Sequence, residues 1–174
     1  MSPEISPDAE VAESAVIEGD VTIQKDAVVF EYSVIKGPCT IGQATVVGSH
    51  SLIRESTLGD GCVVGAHAEV ARSRFDDDSG MHSGFAGDLV VGRGSRLGAG
   101  LVVANRPYAP STERGWGDRQ RTHVGDGVNI AVNCSLMPGV KIGDDAFVGP
   151  NTVVEEDVPA GSRVFVDQNT VVKR

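Results

Sequence analysis

From Val11 onward every sixth residue is Val or Ile: Val11, Ile17, Ile23, Val29, Ile35, Ile41, Val47 and Ile53. The beat resumes as Leu58, Val64 and Val70, then as Phe85, Val91, Leu97 and Val103. It closes with Val124, Ile130, Leu136, Ile142, Val148 and Val154. Four residues after many of these positions stands a small side chain, as at Ala27, Ser33, Cys39, Thr45, Ser51, Thr57, Cys62, Ala68, Ser95, Cys134, Ala146 and Thr152. Six is not a helical period, but it is even, so the large residue meets the same face of every short strand. The remaining residues make a corner, and small groups fit where walls converge. Three such strands close a triangular coil, and coils stack at about 4.8 Å, the spacing of paired strands. The beat therefore predicts an all-β chain, a single parallel β-helix over residues 1–174 with about seven coils, on the order of 35 Å tall.

Composition agrees with a narrow, repeated interior. Aromatic residues are 5% of the 174, while glycines number 22, which does not suit a core built on Phe and Trp. The net charge of −9 disfavours nucleic acid as a partner, because a phosphate backbone wants a basic face. No apolar stretch approaches the ~18 residues of a membrane span, and the acidic, polar N-terminus does not read as a secretory signal. Cys39, Cys62 and Cys134 form an odd set without C-x-x-C spacing, and all three fall on the small inward position. Buried structural thiols are expected there, with neither a disulfide framework nor a zinc site, and a cytoplasmic home.

Interruptions of a solenoid are where chemistry gathers. The steps Ile53 to Leu58 and Val70 to Phe75 are five residues, each needing a bulge or a tightened corner. An irregular segment, 75–85, follows, with Asp76, Asp77 and Asp78 leading to His82. The largest break, 104–123, carries Pro and Gly, the single Trp (Trp116), Tyr108, and Arg106, Arg114, Arg119 and Arg121. An aperiodic stretch of ~20 residues is uncommon in a compact domain, and an extruded loop reaching a ligand or a neighbouring subunit is expected.

The stretch "HSGFAGDLVVGRGSRLGAGLVVAN", then a loop, then "VGDGVNIAVNCSLMPGVKIGDDAFVGPNTVVEEDVP" resembles the acetyltransferase domain of bifunctional sugar-1-phosphate nucleotidylyltransferases. The archaeal type is the nearer match and the bacterial N-acetylglucosamine-1-phosphate uridyltransferase the more distant. The resemblance covers about half the chain. No Gly-rich nucleotide loop in a βαβ unit accompanies it. It implies a left-handed coil, contrary to the usual hand of parallel crossovers, and a homotrimer. It implies coenzyme A as acyl donor, an amino sugar as acceptor, His82 as general base and Asn105 as a second catalytic residue. The coils after the loop are where the family places coenzyme A, which marks Ala131, Val132, Gly149 and Pro150. The family has a Tyr where this chain has Phe85, and loop lysines where this chain has only arginines. Those departures keep open a non-catalytic trimeric scaffold, or an unrelated reaction in the same pocket.

The residue types suit acyl transfer to an amine. Histidine has a free pKa of about 6.5, close to working pH. A carboxylate from Asp76, Asp77, Asp78 or Asp88 is positioned by sequence to fix the His82 tautomer. Phe85, Arg106, Tyr108, Arg114 and Trp116 are the candidates for holding the acceptor, the arginines by forked contacts to phosphate. His50 and His67, each three residues after an inward Val, read as solvent-facing corner residues, and His123 as an ordinary loop histidine. Trimeric γ-class carbonic anhydrases resemble this fold and bind zinc between subunits, but their H-x-x-x-x-H pair is absent, so no metal is expected.

Overall fold

The computed structural model describes residues 2–110 and 115–167. These form twenty-five strands of two to four residues each and, among the described residues, no helix. The strands fall into three parallel sheets of eight, nine and eight strands. The first sheet begins with Glu4–Ile5, the second with Glu10–Val11 and the third with Val16–Glu18, and each strand pairs with the one three later in sequence, except that Phe147–Val148 pairs with Arg163–Val164, two later. The chain is thus a three-sided, left-handed parallel β-helix of about nine turns.

The turn count exceeds the seven expected because several inward positions escape the Val/Ile beat. Met81 stands within segment 75–85 and Val158 follows Val154 after only four residues, while Ile5, six before Val11, and Val164, six after Val158, lengthen the stack at its ends. Met81 and Val158 are buried. Segment 75–85 does not leave the coil: it contains Gly80–Met81 and joins Arg74–Phe75 to Gly84–Gly87.

The interior is the predicted column. Ile23, Ile35, Ile41, Val47, Ile53, Leu58, Val64 and Val70 are all buried and belong to one continuous cluster. Small hydroxyls at the converging corners have a second task, because a buried polar group needs a partner. Ser33 Oγ donates to Gly48 O at 2.9 Å, Ser51 Oγ to Gly65 O at 2.9 Å, and Ser95 Oγ to Gly125 O at 2.7 Å. The three cysteines are free and buried, and burial pushes the Cys39 and Cys62 thiols up. Corners turn on residues in the left-handed region: His50 and His67 have φ of 60° and 58°. Both are exposed and stack on each other at 5.1 Å between ring centroids.

Coil length is not constant. Val28 pairs with Val46, eighteen residues on, Val46 with Val63, seventeen on, and Gly80 with Arg96, sixteen on. The missing residues come from tightened corners. Three lie in succession on the edge between the third and first sheets: Ile53 to Leu58, Val70 to Phe75 and Ala86 to Val91. Ser56 and Ser73 take the small inward place there, and Thr57, expected inside, faces out. A fourth short corner, Met81 to Ala86, moves the inward position by one. Ala86 pairs with Val70 and Val103 and is buried, so Phe85, counted above as inward, sits outside between Glu69 and Val102.

These assignments make a contrast measurable by urea unfolding. Leu58→Ala is expected to cost about 2–5 kcal/mol, the range for a buried Leu losing its side chain. Its neighbour Thr57→Ala is expected to change stability by no more than about 0.5 kcal/mol.

Candidate functional site

His82 is the first residue beyond inward Met81, on the edge between the second and third sheets. From the third coil to the eighth, between Phe30 and Phe165 of the same column, the equivalent residues are Gly48, Gly65, His82, Gly98, Ala131 and Gly149, linked coil to coil by backbone bonds. Gly65 N donates to Met81 O, His82 N to Leu97 O, Gly98 N to Ile130 O and Ala131 N to Val148 O, all within 2.9 Å. Most of the column is small for a steric reason. A Cβ on Gly48 would lie 2.5 Å from Ala66 N, and one on Gly98 would lie 2.6 Å from Ala131 C. His82 is the exception, and it opens the one short corner on this edge among the described residues. Its side chain is exposed and makes no hydrogen bond among the described residues. This edge also carries the positions marked for coenzyme A: Ala131 two steps below His82, Gly149 three, with Val132 and Pro150 exposed beside them.

The carboxylates expected beside His82 are engaged elsewhere. Asp76, Asp77 and Asp78 lie on the edge between the first and second sheets. Asp76 pairs with Arg74 at 3.0 Å, and Asp77 accepts from Asp60 N at 3.0 Å with Arg93 at 3.7 Å. Asp78 turns the corner with φ 58°. The run repeats a structural ladder in which an Asp carboxylate accepts from the backbone of the preceding coil, as Asp144 does from Asp126 N at 2.9 Å.

Asp88 closes the other end of the strand Gly84–Gly87, on the edge between the third and first sheets. Its carboxylate receives a fork from Arg72, Nε at 3.0 Å and Nη2 at 2.9 Å, and the amide of Asn105 at 2.6 Å. The paired side chains retain only 16% and 9% of their exposure. Burial pushes the Asp88 carboxyl up, but the hydrogen bonds from Arg72 and Asn105 and the charges of Arg72 and Arg119 outweigh it, so its pKa is held below the ordinary carboxylate value. The bond to Asp88 raises the Arg72 pKa in return.

The break in the beat is shorter than predicted. Thr122 and His123 belong to the strand Thr122–Val124, which leaves 105–110 and 115–121, among the described residues, outside the coil. His123 faces out on the first sheet between Val90 and Lys141, on a different side from His82. The extruded part is a hairpin arm. Tyr108 and Trp116 form an antiparallel bridge, Gly117 N donates to Pro107 O at 2.9 Å, and Gln120 N to Asn105 O at 2.8 Å. The two rings meet edge to face at 6.1 Å, and both are exposed. Arg106 Nη1 holds Gly117 O at 3.0 Å. Arg114 lies outside the described residues.

Two hollows adjoin Asn105 and Phe85. A cleft of about 280 Å³ at the root of the arm is lined by Ala104, Asn105, Arg106 and Trp116. A shallower depression of about 510 Å³ lies over the third sheet, with Phe85, Gly84, Val102, Glu69 and His67 in its wall. Phe85 connects the two: a Cβ on Gly87 would lie 2.5 Å from Phe85 Cζ and 3.0 Å from Asn105 Nδ2, so glycine there lets ring and amide approach. Asn105, Arg106, Phe85 and Trp116 are brought together, whereas His82 stands one strand away on the opposite edge. Sequence reasoning passed over Arg72, and it placed Asp88 beside the wrong partner. The five-residue step at Val70 was the available signal, because it brings the Arg72 corner against the next coil. Among the described residues no three His, Cys, Asp or Glu side chains group as metal ligands.

A parallel β-helix with a six-residue beat and corner glycines is the architecture of hexapeptide-repeat proteins, and residues 121–156 match the bacterial transferase hexapeptide family. Residues 3–136 match the family described as the GMPPB C-terminal domain, and the chain belongs to it. Over 65 residues the chain is 38% identical to the bifunctional protein GlmU of Acinetobacter baylyi, covering 37% of this chain and 13% of that protein. Against GlmU of Rhizobium rhizogenes it is 33% identical over 66 residues, 38% of this chain and again 13% of the relative. The chain thus matches only about an eighth of the length of these curated relatives. The solved UDP-N-acetylglucosamine acyltransferase of Francisella novicida is similar at 16% identity with a TM-score of 0.40, covering 92% of this chain and 66% of that one.

The Arg72–Asp88 pair has a definite pH signature. Asp88 has a lowered pKa in the folded chain, so its contribution is complete above the unfolded value, about 3.9, and is lost as pH falls through the folded value. Asp88→Ala is expected to cost about 3 kcal/mol at pH 7, because Arg72 is left buried without its partner. In urea unfolding, the gap between wild type and variant should be widest at neutral pH and narrow in acid.

Proposed function

We propose that this chain is a coenzyme A-dependent acyltransferase that N-acetylates an amino sugar, phosphorylated or nucleotide-linked, in a pocket completed by a neighbouring subunit of a homotrimer. The observation that carries the reading is the strand Gly84–Gly87, which has His82 before it, Phe85 upon it and the Asp88–Asn105 contact after it. Four residues of strand span about 13 Å, a length that a sugar phosphate lying over Phe85 bridges. The substrate class is the one implied by the resemblance to the acetyltransferase domain of sugar-1-phosphate nucleotidylyltransferases. The three unpaired buried cysteines fit a cytoplasmic setting.

In this reading coenzyme A runs along the edge carrying Ala131, Val132, Gly149 and Pro150, which brings its thioester toward His82. The neutral amine attacks the thioester carbonyl, and His82 takes the proton that the nitrogen sheds. The C–S bond then breaks, and His82 passes that proton to the departing sulfur, so that coenzyme A leaves as its thiol and the imidazole is neutral again. Backbone N–H groups at the corner are available to the oxyanion. Asn105, Arg106, Trp116 and Tyr108 hold the far end of the acceptor, with the Arg106 guanidinium for phosphate and Arg114 as the further arginine the sequence offers for that contact. Three prisms around a closed axis make three equal grooves, and the outward row Val16, Val34, Leu52, Phe85, Val102 and Val153 on the third sheet, broken by Glu69 and Ser135, offers a largely apolar face for that contact.

A second reading, a non-catalytic β-helix module, is favoured by one specific observation: His82 lacks a carboxylate to fix its tautomer among the described residues. A thiol-release assay with acetyl-coenzyme A and a panel of amino sugars separates the two. The proposal expects release with glucosamine 1-phosphate or a nucleotide-linked amino sugar, reduced about 10²- to 10⁴-fold in His82→Ala. It expects a solution mass three times the 18.1 kDa chain. A monomer, or no release and no thermal shift with coenzyme A, supports the module instead.

A further inference from the structure

Asn105 has two chemically different ends, and the surrounding residues decide which one a ligand meets. Its Nδ2 donates to Asp88 Oδ2 at 2.6 Å, and a carboxylate can only accept. The amide is therefore fixed with its NH2 toward Asp88 and its Oδ1 turned away. Oδ1 receives no hydrogen bond among the described residues, and Asn105 is only half-buried, in the wall of the cleft with Arg106 and Trp116. What holds Asp88 is the Arg72 fork, from a corner one coil away, at 3.0 and 2.9 Å. Three successive coils thus meet in one chain of contacts, Arg72 to Asp88 to Asn105. The root of the arm is tied to the same place, since Gln120 N donates to Asn105 O at 2.8 Å and Thr122 N to Asp88 O at 3.1 Å.

We propose that Arg72 and Asp88 are positioning residues that hold the Asn105 amide with its carbonyl oxygen facing the cleft, so that the cleft selects a ligand presenting an N–H or O–H donor at that point. The inference rests on the acceptor-binding role given to Asn105 above, and it deepens that reading by naming the polarity of the contact. The Arg72 fork matters for more than charge. Two parallel bonds fix the plane of the carboxylate, and one carboxylate oxygen serves Asn105 from that plane. A lysine at this position would keep the charge and lose the plane. A neutral Asp88→Asn side chain can both donate and accept, so it no longer dictates which end of Asn105 it meets.

Side-chain amide NMR reads the orientation without any turnover. In the 174-residue chain, the Asn105 NH2 pair, assigned by its loss in Asn105→Ala, is expected as a downfield, slowly exchanging signal. It should shift or average in Asp88→Asn and in Arg72→Lys. An unchanged pair in both variants overturns the proposal. Should Asp88→Asn fail to fold, acid titration of the wild type decides: the pair should move as Asp88 protonates, and an invariant pair overturns the proposal. With acetyl-coenzyme A and glucosamine 1-phosphate, Asp88→Asn should raise the sugar KM about fivefold, the worth of roughly one net hydrogen bond, with kcat nearly unchanged. His82→Ala should instead lower kcat. A KM unchanged while the amide signal is lost overturns the selectivity. If the wild type turns over no acceptor, the acyltransferase reading fails, and the amide signal still decides the positioning.

Discussion

Parallel backbone pairing from coil to coil is the constraint on which every other feature of this molecule rests. Each short strand has its partners one coil above and one below, so a residue's neighbours are set by the local coil length. A buried column of Val, Ile and Leu holds that register, because a slip of one residue would turn the column outward. The column is narrow, and small residues and hydroxyls finish the corners. Ser33, Ser51 and Ser95 therefore act as cross-links between coils, while Ile35, Ile53 and Leu97 fill the space between them.

Given such a lattice, a change in coil length becomes a way of placing chemistry. On the edge between the third and first sheets, three tightened corners bring Glu55, Arg72 and Asp88 into one column, each in the left-handed region with φ of 50°, 51° and 54°. The Arg72–Asp88 pair follows, and the arm then leaves the coil where Asn105 can join it. On the neighbouring edge, the single short corner after Met81 is where a histidine replaces the glycines and alanine of its column. Both departures occur within one strand of each other, around Gly84–Gly87. The site is assembled from the corners that fall short of the regular six-residue step.

Much of this was legible in the residues. The six-residue beat announced a three-sided parallel coil, the placement of Cys39, Cys62 and Cys134 announced buried thiols, and the two five-residue steps announced tightened corners. What escaped did so for physical reasons. Met81 and Val158 are inward without belonging to the Val/Ile rhythm, so turns were undercounted. Between Met81 and Ala86 the beat shortens by one, and Phe85 and Ala86 exchange roles, which no count by six reveals. The acidic run before His82 looked like a tautomer clamp, yet Asp76 and Asp77 pair with groups on another edge. That assignment follows from which edge a corner lies on, and only the running total of short corners fixes it. The arm read as aperiodic because its pairing is between Tyr108 and Trp116, eight residues apart, rather than with the coil.

The coil resumes directly beneath itself after the arm, which leaves Asn105, already set against Asp88 by the preceding strand, at the arm's root. Val90 and His123 report on it, being thirty-three residues apart in sequence and adjacent across the first sheet. Nitroxide labels on Val90→Cys and His123→Cys, both outward, should sit one strand spacing apart, about 4.8 Å between backbones. Strong dipolar broadening in the frozen doubly labelled protein, absent from each single label, is the result this account predicts. A doubly labelled spectrum equal to the sum of the two single ones would contradict it.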